Sequence, residues 1–338
     1  MNWGQSYSAS WRVFRVNRDT WQDAEQVTNV DSASITRTAD GSLLESGSFE
    51  ITGDFTPDYY RIVMTAVQGG DIQRVDVATM LFDATGGEFN YGRHVQNLEG
   101  HSVLYPASKT AIVTGAYAPA GIDGAMYAGN LLADAINAPV EVEGSFTLND
   151  HVVHEIGSSV LDAVWAVLDA GNFVMQIDGR GIVHIIPEPI DPALVLDNAN
   201  VRLLTNGIDY SSNISDIPNR YIVLSGVSRT IAENADPESS VSTYTRGYCI
   251  DEVDESPTPI DGETMSAYAL RRLHELSYME EECEYTREYA PDVYLYSIVK
   301  ASIPGMEGNL RIKSQTVNCG NGITIAEKGV KEIDLWAS

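Results

Sequence analysis

The sequence predicts an α+β chain that is predominantly β. It should hold two small β-barrel domains, an intervening α/β unit of helix and hairpin, and a helix inserted in the second β domain. Three observations predict this. Short runs rich in β-branched and aromatic residues recur in residues 11–108, parted by glycine and aspartate turns. Residues 110–192 switch to helical spacing of apolar side chains, followed by a hairpin signal. From about residue 200 the short β runs return. The expected partition is 1–109, 110–192 and 193–338, with the helical insertion at about 262–284. A length of 338 residues sets a prior of about two domains.

In the first β region the expected strands are Trp11–Val16, Ile35–Thr38, Ser48–Thr52, Arg61–Val67, Val75–Phe82 and His101–Leu104. Turns are expected at Asp40-Gly41, Gly53-Asp54, Gly69-Gly70-Asp71 and Gly86-Gly87. Phe49 and Ile51 alternate with Ser48, Glu50 and Thr52, the pattern of a half-buried strand.

In the α/β unit Asp123 is placed to cap a helix carrying Ala128, Leu131, Leu132, Ala135 and Ile136, closed by Pro139. A second helix starts at Ser158 or Ser159 and puts Leu161, Val164, Trp165 and Leu168 on one face. Gly171 suits the position after its end. Trp165 is expected against the hairpin that follows: Phe173–Ile177, the turn Asp178-Gly179-Arg180-Gly181, and Ile182–Ile186 stopped by Pro187.

The second β region should hold strands at Tyr221–Leu224, Val241–Tyr248, Val293–Val299, Leu310–Lys313, Thr316–Asn318, Ile323–Ala326 and Val330–Leu335. Its helix is expected to start at a Thr264 cap after the acid-rich loop Asp251–Pro259. The apolar stripe is Met265, Ala269, Leu273, Leu276 and Cys283.

The net charge is −27, from 21 basic and 48 acidic residues, while 43% of residues are hydrophobic. That apolar share argues against wholesale disorder. The acidity argues against wrapping DNA or RNA, which needs lysine and arginine on phosphates. It disfavours an anionic membrane surface for the same reason. The longest stretches without charge, Thr110–Ile122 and Ser314–Ala326, are 13 residues each, short of the roughly 20 a spanning helix needs. No membrane anchoring and no signal peptide are expected. Cys249, Cys283 and Cys319 are far apart and odd in number, so no disulfide framework or zinc site is expected. Residues 110–201 carry −11 and residues 230–264 carry −8, so the acid is concentrated in two segments.

The motifs with chemical potential are weak. His151, His154 and Glu155 spell H-V-V-H-E, but a zincin needs H-E-x-x-H with the glutamate between the histidines. A surface loop or helix start is the expectation. Gly100-His101-Ser102-Val103-Leu104 lacks the second glycine of a nucleophile elbow. Asp178–Gly181 lacks the later ligands of a calcium loop and is expected to be a turn. No phosphate loop and no G-x-G-x-x-G is present. Glu280-Glu281-Glu282 with Glu284 is expected on a solvated face near the end of the inserted helix. No residue is therefore nominated as catalytic, cofactor-binding or metal-ligating. No cofactor is expected and the chain is not expected to be an enzyme.

Several stretches together resemble the tail-hub, or baseplate-hub, proteins of tailed bacteriophages and prophages. They are Asp40–Ile51 (DGSLLESGSFEI), Val160–Ile186 (VLDAVWAVLDAGNFVMQIDGRGIVHII) and Asn213–Leu224 (NISDIPNRYIVL), with the helix Ala267–Leu276 and Gly308–Asn318 (GNLRIKSQTVN). The resemblance implies two small β-barrels with α/β elements between them. It implies a homotrimer whose six barrels form a pseudo-sixfold ring, joining the tail tube to a threefold tip or spike. The partners implied are a tail-tube or distal-tail protein and a tip or spike protein. DNA would pass through the ring without tight binding. The place implied is the virion tail, after assembly in the host bacterial cytoplasm. The family pattern carries no catalytic residues, and no lytic domain is expected here. The competing expectations are a carbohydrate-active β protein resembling glycoside hydrolases, or a receptor-binding tail component.

Overall fold

The computed structural model describes residues 1–338 except 91–92, 198, 205–208, 213, 226–227, 256, 258–262, 304–305, 321 and 337–338. The expected features that touch Asn213, residues 258–259 and residue 262 lie, at those positions, outside the described residues. The chain divides into two compact units, Met1–Ile208 with Glu284–Gly329, and Asp209–Cys283 with Val330–Ser338.

The first unit opens with seven strands: β1 (Ser8–Val16), β2 (Asp23–Val27), β3 (Val30–Thr38), β4 (Glu45–Thr52), β5 (Asp58–Gln68), β6 (Asp71–Asn90) and β7 (Arg93–His101). A short helix α1 (Tyr105–Lys109), strand β8 (Ala116–Ala118), helix α2 (Gly124–Ala133) and strands β9 (Val140–Val142) and β10 (Val152–His154) follow. Helix α3 (Val160–Asp169), the hairpin β11 (Phe173–Ile177) and β12 (Val183–Pro187), and strand β13 (Pro192–Leu196) complete this stretch.

The second unit contains β14 (Asp209–Ser212), β15 (Arg220–Ser225), β16 (Ser228–Glu233), α4 (Thr243–Arg246), β17 (Asp251–Asp254) and α5 (Met265–Glu275). Strand β18 (Tyr278–Glu288) carries the chain back to the first unit. There β19 (Ile298–Ile303) and β20 (Met306–Cys319) form, and β21 (Ile323–Asp334) begins.

The main sheet of the first unit has strand order β21-β20-β3-β4-β7-β6-β5-β1-β2, with β19 on β20 and β13 on β19. Its chain-local pairs are antiparallel, and β20 also runs antiparallel to β3, with Val317 opposite Ile35. Among the described residues no sheet closes into a barrel, so two separate small barrels are not what is observed. The β3–β20 pairing instead joins strands from both expected β regions edge to edge. Strand β5 is buried along most of its length, as a strand covered on both faces must be. Ile62, Met64 and Ala66 enter one apolar cluster, with Phe49, Phe82, Val317 and Ile325. Tyr59 enters another, with Leu132, Leu161, Val164, Leu168, Met175 and Ile185 of the α/β part.

Local chemistry explains the helices. The Asp123 carboxylate accepts from the backbone N–H of Ala125 and Met126, as expected of the α2 cap. Ser159 and Asp162 form a reciprocal capping box at α3: Asp162 N–H donates to Ser159 Oγ at 3.0 Å, and Ser159 N–H donates back to Asp162. Ser159→Ala should therefore cost about 1 kcal/mol in thermal or urea denaturation, and a neutral result would discount the cap. Leu161, Val164 and Leu168 are buried as expected, whereas Trp165 is half-buried and its indole N–H donates to the Ser42 carbonyl at 3.0 Å. The left-handed residue after α3 is Asn172 (φ 53°), not Gly171. Gly171 is required for another reason: a Cβ there would stand 2.4 Å from the Phe146 ring.

Several expectations are corrected. His101 ends β7, and residues 102–104 turn into α1, because Pro106 sits in its first turn and favours helix there. Gly86-Gly87 lies inside β6, beside a register shift between Ala84 and Gly86, rather than in a turn. Val241–Tyr248 is not a strand. Ser242 caps the short helix α4 and Gly247 ends it at φ 75°, so capping overrides the β-branched composition. Ile298 begins β19, so Val293–Ser297 is irregular. Helix α5 starts at the Thr264 cap, as expected, but ends at a Leu276 C-cap. Cys283 is buried on β18, not on the helix, and the run Glu280–Glu284 belongs to that strand.

In the second unit β15 pairs with β16 antiparallel and with β17 parallel. Helix α5 buries Tyr268, Ala269 and Leu273 against Tyr221, Val223 and Ala232. The Tyr221 and Tyr268 hydroxyls both donate to Asp254 Oδ2, at 3.0 and 2.7 Å. Asn219, within the stretch NISDIPNRYIVL, is fully buried. Its amide donates to the Val241 and Tyr248 carbonyls and accepts from Ile250 N–H.

Candidate functional site

The polar groups of the first unit fall into a buried frame and an acidic surface. The frame begins on adjacent strands. Arg37 of β3 donates to Glu45 Oε1 of β4 at 2.6 Å, to the Val77 carbonyl of β6 at 2.8 Å, and to Gln315 Oε1 of β20 at 3.3 Å. Gln315 donates to Glu327 Oε1 of β21 at 2.7 Å and to the Val293 carbonyl. Arg287 of β18 grips Glu327 with two parallel bonds of 2.7 and 2.6 Å. The Arg287 and Glu327 side chains are fully inaccessible. Burial pushes the Glu45 carboxyl above its usual range, against the pull of Arg37. Burial also pushes the thiol of Cys319 up to about 12, which makes it inert.

A second buried set docks the hairpin turn Asp178–Gly181 onto the main sheet. Arg61 of β5 donates to Asp23, to Thr79 Oγ1 and to the Trp21 and Arg180 carbonyls. The Trp21 indole also donates to the Arg180 carbonyl at 2.8 Å, and Thr79 donates to the Gly179 carbonyl at 3.0 Å. Arg74 pairs with Asp23 from the surface side. Asp178 Oδ1 accepts from Ile182 N–H at 2.8 Å, so this segment is a turn, as its sequence indicates.

The surface is acidic. Ten of the twelve acidic residues in 110–201 are exposed, the exceptions being Asp178 and Asp197. His184 of β12 stands among them, its Nε2 3.4 Å from Asp178 and its Nδ1 3.6 Å from Glu141 and 3.9 Å from Glu143. The Asp178 hydrogen bond and these carboxylates raise its pKa above the ordinary 6.5. The stability this gives is complete below the unfolded value and is lost as pH rises through the higher folded one. The His184 ring should therefore titrate above 6.5 by NMR, and Asp178→Asn should lower that midpoint. A wild-type midpoint at or below 6.5 would reject the contact.

The weak motifs fall apart in space. His154 lies on β10, paired with β8, rather than in a surface loop; it is buried and shares a 3.2 Å hydrogen bond between Nε2 and the Tyr127 hydroxyl. Desolvation lowers its pKa. Among the described residues no group of three or more His, Cys, Asp or Glu could hold a metal ion. Gly100 faces the Phe82 ring, where a Cβ would come within 2.6 Å, and Ser102 Oγ accepts from Leu104 N–H. A cavity of about 600 Å³ between Tyr7, Asn318 and Thr324 is lined by one carboxylate, Glu288. A glycosidase needs two facing carboxylates. Among the described residues no helix is long and apolar enough to cross a membrane. The buried frame of Arg37, Glu45, Arg287, Gln315 and Glu327 is absent from any sequence motif; no spacing signal links its members.

No protein-family model and no curated protein matches the sequence. Solved structures do match. The 43 kDa tail protein of prophage MuSo2 from Shewanella oneidensis aligns with a TM-score of 0.61 at 12% identity, over 96% of this chain and 98% of that one. A tail protein from Neisseria meningitidis MC58 aligns with a TM-score of 0.59 at 13% identity, over 98% of both chains. A chain of the Francisella PdpA-VgrG complex aligns with a TM-score of 0.55 at 8% identity, over 97% of this chain and 58% of that one. At such identities the likeness is one of fold, and it spans nearly the whole chain: this protein has the fold of these tail proteins, one of them from a prophage.

Proposed function

We propose that the chain is a structural tail protein of a phage or prophage: a hub subunit that forms a homotrimeric ring joining the tail tube to the tip or spike. The observation that carries this reading is the near end-to-end match with two tail proteins, one of them from a prophage. The buried frame fits the role, since a bidentate arginine–carboxylate pair such as Arg287–Glu327 adds geometric specificity where strands meet. The acid fits it too. Exposed carboxylates in 110–201 and 230–264, if turned to a lumen, repel passing DNA and keep it from sticking. In this reading residues 1–109, 110–192 and 193–338 are the first β part, the α/β unit and the second β part of the hub. The neighbours are a tail-tube or distal-tail protein on one side and a tip or spike protein on the other.

Light scattering on the whole chain across concentrations tests this. The expected mass is three times 36.8 kDa, with rings visible by electron microscopy and no retention of duplex DNA at physiological salt. A monomer at every concentration, or firm DNA binding, overturns the ring and channel while leaving the fold intact.

A further inference from the structure

We propose that the β8–β10 ribbon is a docking surface for an extended apolar segment of another protein, one that carries lysine or arginine beside its apolar residues. The inference goes beyond the ring and does not need it. The ribbon is a sheet of only two strands. Among the described residues neither strand pairs with a third, and a sheet edge is a template for an added strand. Its outer face is apolar. Val113, Tyr117, Val153 and Ile156 are exposed by 80, 59, 63 and 70%. Single exposed apolar residues are ordinary, but Tyr117 and Val153 adjoin one another, and Ile156 stands beside Gly115 at the start of this stretch. Tyr117 and Val153 are direct partners in the ladder. The Ile156 side chain reaches within 4.0 Å of where a Cβ on Gly115 would stand. The His151 ring meets Tyr117 edge-on at 6.3 Å.

Between them Gly115, Tyr117, His151, Val153 and His154 line a cavity of about 490 Å³. His154 lies behind that face. It is only 4% exposed, Tyr127 occupies its Nε2, and its Nδ1 has no hydrogen-bond partner. Its ring stacks on Tyr127 on the side away from Val153, so it backs the face that Tyr117 and Val153 present to solvent.

Charge selects the occupant. No lysine or arginine occurs from residue 110 through 179, and the exposed Asp150 and Glu155 bracket β10. A second copy of this chain would bring the same acidic rim against it, and like charges facing each other are penalised. An apolar strand with basic flanks meets both the face and the rim.

The test uses the whole chain and short fluorescent peptides alternating valine with lysine, serine with lysine, and valine with glutamate. In fluorescence polarisation the valine–lysine peptide should bind at least about tenfold tighter than either control. The surface variant Tyr117→Ser/Val153→Ser should erase that preference, and Asp150→Asn/Glu155→Gln should weaken it and flatten its salt dependence. Equal binding of the serine–lysine peptide would reduce the effect to net charge and overturn the proposal. So would a preference that survives in Tyr117→Ser/Val153→Ser. Self-association that this variant abolishes would put a second copy on the patch, and would overturn the proposal as well.

Discussion

Replacing Arg287 by methionine should cost about 3–5 kcal/mol of stability, among the largest single losses expected anywhere in the chain. The substitution leaves the Glu327 carboxylate buried, without its two-bond partner and with the Gln315 amide still donating to it. A carboxylate in that position either pays its desolvation or takes up a proton. The urea midpoint, followed by tryptophan fluorescence, reads the loss. Four of the five tryptophans (Trp3, Trp11, Trp21 and Trp165) lie in the first unit, so the signal reports mainly on it. The double variant Arg287→Met/Glu327→Leu should recover most of the loss, because no charge is then stranded and Gln315 keeps the Val293 carbonyl. If Arg287→Met alone stays within about 0.5 kcal/mol of wild type, the pair is not buried as described.

Gly179→Ala is the second large effect. A Cβ at Gly179 would stand 1.8 Å from the Asp76 carbonyl oxygen of β6. That atom is backbone in a paired strand and cannot step aside. The turn must lift instead, which breaks the Thr79 bond to Gly179 and the Trp21 and Arg61 bonds to Arg180. The expected loss is roughly 3 kcal/mol or more, at the upper end for an overpacked site. Gly86→Ala is the control, because nothing lies within 4 Å of the atom it adds. Equal melting temperatures for the two variants would show that the turn is not seated on the sheet.

The elements legible in the sequence are those whose cause is local. Asp123 and Ser159 announce α2 and α3 because a cap satisfies backbone donors only two or three residues away. The hairpin β11–β12 is legible because Asp178-Gly179-Arg180-Gly181 separates two apolar runs. Illegible elements owe their state to distant partners. Strand β2 reads as polar, Asp23 to Val27, and is a strand because β1 pairs with it at the sheet edge. Strand β18 carries five glutamates, yet alternation buries Cys283, Tyr285 and Arg287 on its inner face. Helix α4 was hidden by Val241, Thr243 and Thr245, which favour strand by composition.

The candidate sites divide in the same way. That H-V-V-H-E departs from a zincin is visible in its spacing. That His154 is buried with an unpaired nitrogen, beside an exposed apolar face, depends on β10 meeting β8 some 36 residues away, with Val152 opposite Ala118. The acidity and its clustering are sums over residues and needed no structure. The roles of Arg37, Glu45, Arg287 and Glu327 did, because each reads as one more surface charge until its partner is known.

By itself, then, the sequence determined the predominance of β structure, the capped helices, the docked hairpin's turn and the charge of −27. Each follows from propensity, spacing or composition within a few residues. Only the tertiary structure decided the sheet order, the absence of closed barrels among the described residues, and which charges are buried. Arg37 and Gln315 are 278 residues apart, and a pairing over that distance is chosen by the packing of the whole sheet rather than by either strand's own residues.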